Sequence, residues 1–494
     1  MKKRSFLKQV LDIGVGTMLT VIIGVITTPI ITRLVEPQMY GRFALFNTYL
    51  TLGLSFICLG LDQAFLRFFY ELGNEKERYV LFRWCIKIPL IIWGSILVGA
   101  LLSMVCRISF IKDNWLMDIL YIISLGLVVI NRFSMNCLRV ENESRLYAML
   151  NCMTKVLYVL GVIFLINITT VSHIYILILA NLIAYVIPTG VAIVREKNFW
   201  NDFASRNTKI NFKHIELIKY GMPLMVSTSV FSLFQAVDRI SLNYFCDKAT
   251  VGVYASAQTL MTAFSIIQQS FNIVWGAKSI EKYESKDDNK DGYYRKVFEI
   301  IVFLMFAFGA TMLVAKSIFV LLLGKDYRES VKIIPFLMLN PIMYTISETT
   351  NIGLVMKKKS MYQVYIVGIC CIINILGNTL LIPLVGAKGA AISTGISYII
   401  FFFLRTFFSN KFLPLGFNIK KIVIVISLFV VMALFHSYNE NMELESIIIY
   451  FVFMVILVTL YKKSFLSILS TVHNFRQNNK GGKANEKDIN DRIL

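Results

Sequence analysis

Runs of about twenty mostly apolar residues recur from one end of this chain to the other, each long enough to cross the hydrocarbon core of a bilayer as a helix. Fourteen are expected, near residues 10–32, 43–63, 84–105, 115–137, 148–167, 173–194, 215–238, 251–275, 297–315, 331–354, 361–384, 387–408, 419–438 and 443–461. In lipid the backbone must satisfy its own polar groups, which single runs of this length do only as helices. With 56% hydrophobic and 16% charged residues, a chain of 494 has too little polar surface for a water-soluble fold. An all-α integral membrane protein of about 14 transmembrane helices is therefore predicted.

A formal charge of +20 would suit a nucleic-acid partner, but its distribution points elsewhere. Fourteen spans put both termini on one side. With that side cytoplasmic, the inner segments hold 37 Lys and Arg and the outer loops 11, the asymmetry that orients membrane proteins. The charge is thus topological, and no nucleic-acid partner is expected. The basic start Met1–Lys8 runs into the first span without a small-residue cleavage site, so it reads as a retained anchor. The eight cysteines lie in or beside apolar runs with no repeated CxxC spacing and read as small core residues, so no metal is expected. No GxxxxGK phosphate loop appears, and no outer loop carries a catalytic constellation. These absences favour a secondary transporter without cofactors over an enzyme or an ATP-driven pump.

An offset of 211 positions places Glu36 over Asp247, Gly41 over Gly252, Phe43 over Tyr254, Ala44 over Ala255 and Thr48 over Thr259. It also carries the first span onto the seventh. Six helices lie between equivalent positions, so the two halves share one orientation and should be related by an axis along the membrane normal. Two parallel-related six-helix bundles, 1–209 and 210–410, are expected around a central cavity, linked by the basic loop Arg195–Lys219. Two peripheral helices (411–461) and a polar, disordered cytoplasmic tail (462–494) complete the plan.

Ionisable residues at membrane depth are costly and are functional candidates by default. Lys155, Glu348 and Arg132 are the deepest; Asp238 and Arg239 lie near the outer end of the seventh span, and Asp62 and Arg67 at the inner mouth of the second. Lys87, four residues from Arg83, is expected to snorkel to the headgroups. The competing reading of this set is a group of packing ion pairs, such as Lys155 with Glu348 or Asp62 with Arg67. Taken together the set is more basic than acidic, which suits a phosphate or pyrophosphate head group. Pro29, Pro223, Asn340 with Pro341, Asn351, Asn374 and Asn378 interrupt spans where only protein or water can cover freed backbone groups.

Six segments in order, Thr28-Pro29-Ile30-Ile31-Thr32-Arg33-Leu34, Tyr40-Gly41-Arg42-Phe43, Gly60 to Phe68, Tyr220-Gly221-Met222-Pro223-Leu224, Asp238-Arg239 with Val251-Gly252-Val253-Tyr254, and Leu381 to Ala391, resemble Wzx-type oligosaccharide flippases. These form the polysaccharide transport family of the MATE-like MOP exporter superfamily. The resemblance implies a bacterial inner-membrane protein that moves an undecaprenyl-pyrophosphate-linked repeat unit across the bilayer, by alternating access of two bundles, for O-antigen or capsule synthesis. It also implies a cationic lumen, coupling to an ion gradient, and other polysaccharide assembly proteins as partners; the depth argument offers Glu348 or Asp238 as the titrating group. The family offers no fixed catalytic motif, so the candidate residues rest on depth. A MATE-like drug or cation antiporter is the alternative, and would want deep carboxylates in the first bundle. A membrane polymerase or glycosyltransferase would want a long charged outer loop.

Overall fold

The computed structural model describes residues 6–105, 115–201, 214–285, 290–439 and 444–470, and among these all regular structure is helical. The chain runs through α1 (Phe6–Leu34), α2 (Pro37–Ile57), α3 (Leu61–Phe68), α4 (Glu75–Val105), α5 (Trp115–Val140), α6 (Ser144–Ile168), α7 (His173–Arg195), α8 (Lys197–Asn201), α9 (His214–Phe245) and α10 (Lys248–Met261). It continues through α11 (Ser265–Glu284), α12 (Lys290–Leu321), α13 (Ile334–Leu337), α14 (Leu339–Thr350), α15 (Ile352–Met356), α16 (Met361–Val385), α17 (Ala387–Phe412), α18 (Ile419–Tyr438) and α19 (Leu444–Leu460). Ten helices among the described residues are long and apolar enough to cross a membrane, or up to 13 if each bent pair is one span. This is a multi-pass membrane protein, and the expected fourteen exceeds that upper count. The difference lies at α1, of which Met18–Leu34 counts only as a shorter apolar helix.

Two compact units divide the chain, Met1–Ala255 and Ser256–Leu494. In the first, Phe65 meets Phe69, Phe82 and Phe199 edge-on, and Phe82 also meets Phe133 and Trp200. The short α8 thereby plugs the end of the α3–α4–α5 packing. Lipid tails are as apolar as these rings, so close packing, not water exclusion, holds them. Of the expected linker Arg195–Lys219, residues 202–213 lie outside the described residues and 214–219 form the start of α9.

The 211-residue offset reappears in the helix boundaries. α1 ends at Leu34 and α9 at Phe245; α2 begins at Pro37 and α10 at Lys248. The equivalent positions touch. A Cβ added to Gly41 would lie 1.8 Å from the Lys248 carbonyl oxygen, and one added to Gly252 would lie 2.0 Å from that of Pro37. Because Pro37 and Lys248 are themselves equivalent, the contact is reciprocal, as at a two-fold crossing. Only glycine lets two helix backbones approach this closely.

The two equivalent helix starts solve their unsatisfied N–H groups differently. Asp247 Oδ1 accepts the backbone N–H of Thr250 at 2.7 Å, and this bond holds its carboxyl below the usual range. Glu36 makes no such bond; α2 begins on Pro37, which has no N–H to satisfy.

In the second unit the amides flagged in the sequence bind helix to helix. Asn374 Nδ2 donates to Thr394 Oγ1 at 3.0 Å, Asn378 Nδ2 donates to Asn374 Oδ1 at 3.0 Å, and Ser393 Oγ donates to the Asn374 carbonyl at 2.9 Å, joining α16 to α17. The tail expected to be disordered from residue 462 begins instead as a helix, Lys462–Ser470, turned 88° from α19. Lys462 and Lys463 end the apolar run, but Phe465, Ile468 and Leu469 then recur at helical spacing, and Phe465 packs 5.6 Å from Phe303. Residues 471–494 lie outside the described residues.

Candidate functional site

The span made of α2 and α3 bends by 55° at Cys58–Gly60. Leu59 and Gly60 both take positive φ, 49° and 70°. Gly60 is required twice: for that conformation, and because a Cβ there would lie 2.1 Å from the Gly221 carbonyl of α9. The bend places Asp62 in the first turn of α3, where the helix dipole favours a carboxylate.

Asp62 is met there by Arg132, eight residues before the end of α5 and so about 12 Å in from it by helical rise. Arg132 Nε donates to Asp62 Oδ2 at 2.9 Å. Gln63 Nε2 donates to the same oxygen at 2.9 Å, and Asn136, one turn after Arg132, donates to the Asp62 carbonyl at 3.3 Å. The two partners are unequally covered: the Arg132 side chain is 43% exposed and that of Asp62 9%. Asp62 therefore pairs with Arg132 and not with Arg67, which turns away along α3 to bind Glu71 at 2.8 Å.

Lys155 stands near the middle of the 25-residue α6. It is exposed and has no hydrogen-bond or ion-pair partner among the described residues. Three residues on, and so on the same face, Tyr158 stacks on Phe43 of α2 with ring centroids 5.6 Å apart.

Asp238 and Arg239 stitch α9 to its neighbours. Buried Asp238 accepts the Tyr254 hydroxyl of α10, and Arg239 Nη1 donates to Thr48 Oγ1 of α2 at 3.1 Å. Both contacts flank the Gly41–Gly252 crossing, and both use residues of the repeat.

Glu348, in the second unit, has a partner the sequence reading passed over. Arg405 Nη1 donates to Glu348 Oε1 at 2.7 Å and to Ser347 Oγ at 2.9 Å. The guanidinium lies 5.2 Å from the Phe401 ring centre and 5.6 Å from that of Tyr344, and Trp275 Nε1 donates to the Glu348 carbonyl at 3.1 Å. Arg405 follows the run Phe401-Phe402-Phe403-Leu404, three residues inside the expected end of the twelfth span, where a basic residue also reads as a topology charge. Lys316 is hidden in the same way: it falls one residue beyond the expected ninth span, yet it is buried, and its ammonium caps the α18 C-terminus through the carbonyls of His436 and Asn439.

Just past the ends of α5 and α7 lies a group of carboxylates. Arg195 binds Glu143 there. Glu196 is pushed up to about 7 by burial first and then by Glu141, against the pull of Arg195, with Glu143 adding to the rise. Burial likewise raises Glu141. Among the described residues no group of three or more His, Cys, Asp or Glu could hold a metal ion. Within its helices the first unit offers two exposed cations: an ammonium on α6 without a partner among the described residues and a guanidinium on α5 held at one nitrogen.

A family model described as polysaccharide biosynthesis protein matches residues 6–275. A search of curated proteins gives no match. Among solved structures, the lipid II flippase MurJ in an inward closed conformation is similar at a TM-score of 0.66 and 17% identity, covering 92% of this chain and 99% of that one. An inward-facing MATE family multidrug resistance transporter of the MOP superfamily gives 0.59 at 14% identity, covering 82% and 97%. A MOP superfamily transporter from Pyrococcus furiosus, described by the reverse polarity of its binding pocket, gives 0.54 at 12% identity, covering 82% and 95%. At these identities the likeness establishes a shared fold.

Proposed function

The chain belongs to the polysaccharide biosynthesis protein family, and on that premise we propose that it is a flippase for an undecaprenyl-pyrophosphate-linked oligosaccharide. It would work in the bacterial inner membrane with both termini in the cytoplasm, supplying repeat units for O-antigen or capsule assembly alongside other assembly proteins. Two six-helix bundles, 1–209 and 210–410, would exchange access while the lipid tail stays in the bilayer. The protein would bind and move its substrate without chemical conversion.

The observation that carries this reading is a pair of exposed cations within helices of the first unit, Lys155 without a partner among the described residues and Arg132 held there at one nitrogen only. An ammonium or guanidinium away from bulk water is best satisfied by phosphate oxygens. Asp238, Arg239 and Glu348 remain candidates for the path, each held by a neighbour; a coupling role for Glu348 would require its pair with Arg405 to open.

The test is translocation of a pyrophosphate-linked oligosaccharide in reconstituted vesicles. Lys155→Ala and Arg132→Ala should each lower the rate at least about tenfold, the worth of one charge-assisted contact, with the thermal midpoint nearly unchanged. If the intact protein moves no such lipid but takes up an organic cation, the reading gives way to a MATE-like antiporter.

A further inference from the structure

A guanidinium can meet a carboxylate with two donors at once, the stronger geometry, and Arg132 does not. It spends Nε on Asp62 and leaves both Nη groups without a partner among the described residues, on a side chain that is 43% exposed. Asp62 itself is fixed more firmly than the pair needs. The left-handed residues Leu59 and Gly60 set the start of its helix, Gln63 holds its carboxylate, and Asn136 holds its carbonyl. Arg132 and Asn136 lie one turn apart on α5, so the same helix that presents the guanidinium also grips the residue orienting it. The deep pair of the second unit also meets through one nitrogen, Nη1 of Arg405, but that side chain is only 5% exposed, so coverage is what sets the two apart.

We propose that Asp62 is a positioning residue that grips Arg132 by Nε and aims its two Nη groups, as a fork, at two oxygens of one phosphate of the lipid-linked substrate. This rests on the flippase reading and assigns its phosphate contact. Arginine suits the task because its donors are planar and fixed, whereas a lysine in its place would be a point charge without direction.

The experiment measures binding of farnesyl pyrophosphate, a short polyprenyl pyrophosphate, to the full chain in detergent. Asp62→Asn, Arg132→Gln, Arg132→Lys and the double variant Asp62→Asn/Arg132→Gln are compared with the intact protein. Positioning predicts that Asp62→Asn weakens binding roughly tenfold, that Arg132→Lys does about the same, and that the double variant binds no worse than Arg132→Gln alone, because both changes remove one interaction. If Asp62 merely dilutes the positive charge of Arg132, Asp62→Asn binds as tightly as the intact protein or tighter, and the proposal is overturned. Additive losses overturn it as well. Gln63→Met and Asn136→Leu loosen Asp62 without changing charge and keep the test decisive should Asp62→Asn not fold; each should weaken binding two- to fivefold, and no change in either would refute the assignment. If the intact protein does not bind the probe at all, the flippase reading falls and takes this proposal with it, an outcome distinct from intact binding that ignores Asp62.

Discussion

Glu348–Arg405 and Asp62–Arg132 bring the same two groups together at span depth, one pair in each compact unit, but they are covered differently. Arg405 lies between aromatic rings and donates to two side chains, with 5% of its own side chain exposed. Arg132 makes one contact and is 43% exposed. The first pair is covered by its neighbours and binds α14 to α17; the second leaves its guanidinium accessible. Ion pairing is therefore no measure of availability, which depends on how far the neighbours cover the guanidinium.

Breaking the closed pair should have the largest effect. Arg405→Gln strands the Glu348 carboxylate, and removing one partner of a buried pair costs about 3–5 kcal/mol. Unfolding in detergent should show that loss, and the double change Glu348→Leu/Arg405→Met should recover much of it, because apolar replacements of a buried pair are often neutral. A double variant as unstable as the single one would mean the charges themselves are needed.

The next largest effect should come from Gly41→Ala. If the first unit leans on backbone contact more than on its open ion pair, a Cβ 1.8 Å from the Lys248 carbonyl oxygen must push α2 and α10 apart. Overpacking of this kind costs about 1–3 kcal/mol. Gly24→Ala, which meets nothing within 4 Å, is the control and should be neutral. Arg132→Gln should cost less than Gly41→Ala, about 1 kcal/mol, since the pair is partly solvated. Should Arg132→Gln prove as damaging as Arg405→Gln, the open pair would be structural and the contrast between the units would fail.

Helices and repeat were legible in the sequence because both rest on periodic, local signals. Every expected span falls on a helix or a bent pair, and the 211-residue match falls on helix boundaries and on a glycine contact. Spacing along the helices singles out Arg132, Lys155 and Glu348, and each stands within a helix, well away from its ends or at a break in it. Partners were not legible, because pairing depends on how helices turn against one another. Nothing in the residue spacing shows that the break at Leu59–Gly60 turns Asp62 to Arg132 and leaves Arg67 with Glu71. Arg405 and Lys316 were hidden for a different reason: a charge near the end of a span reads equally well as a topology signal and as a buried tie.

The smallest effect concerns a carboxylate without an arginine of its own. Arg195 is committed to Glu143, so Glu196 is left to burial and to its acidic neighbours, and its carboxyl rises from 4.5 to about 7. A carboxyl raised on folding binds its proton more tightly in the native state. Its contribution to stability is therefore fully present below pH 4.5 and is lost as the pH rises through about 7. The thermal midpoint should accordingly fall between pH 5 and pH 8, and Glu196→Gln should flatten that fall while raising the midpoint at pH 8. Because the group is partly exposed, solvent screening should hold the gain to about 1 kcal/mol at most. Glu348→Gln, made at a carboxylate that already has its arginine, should lower the midpoint at pH 8 instead. Opposite signs at the two positions would show that a fixed cation, and not burial, decides whether a carboxylate supports this fold; equal signs would remove that distinction.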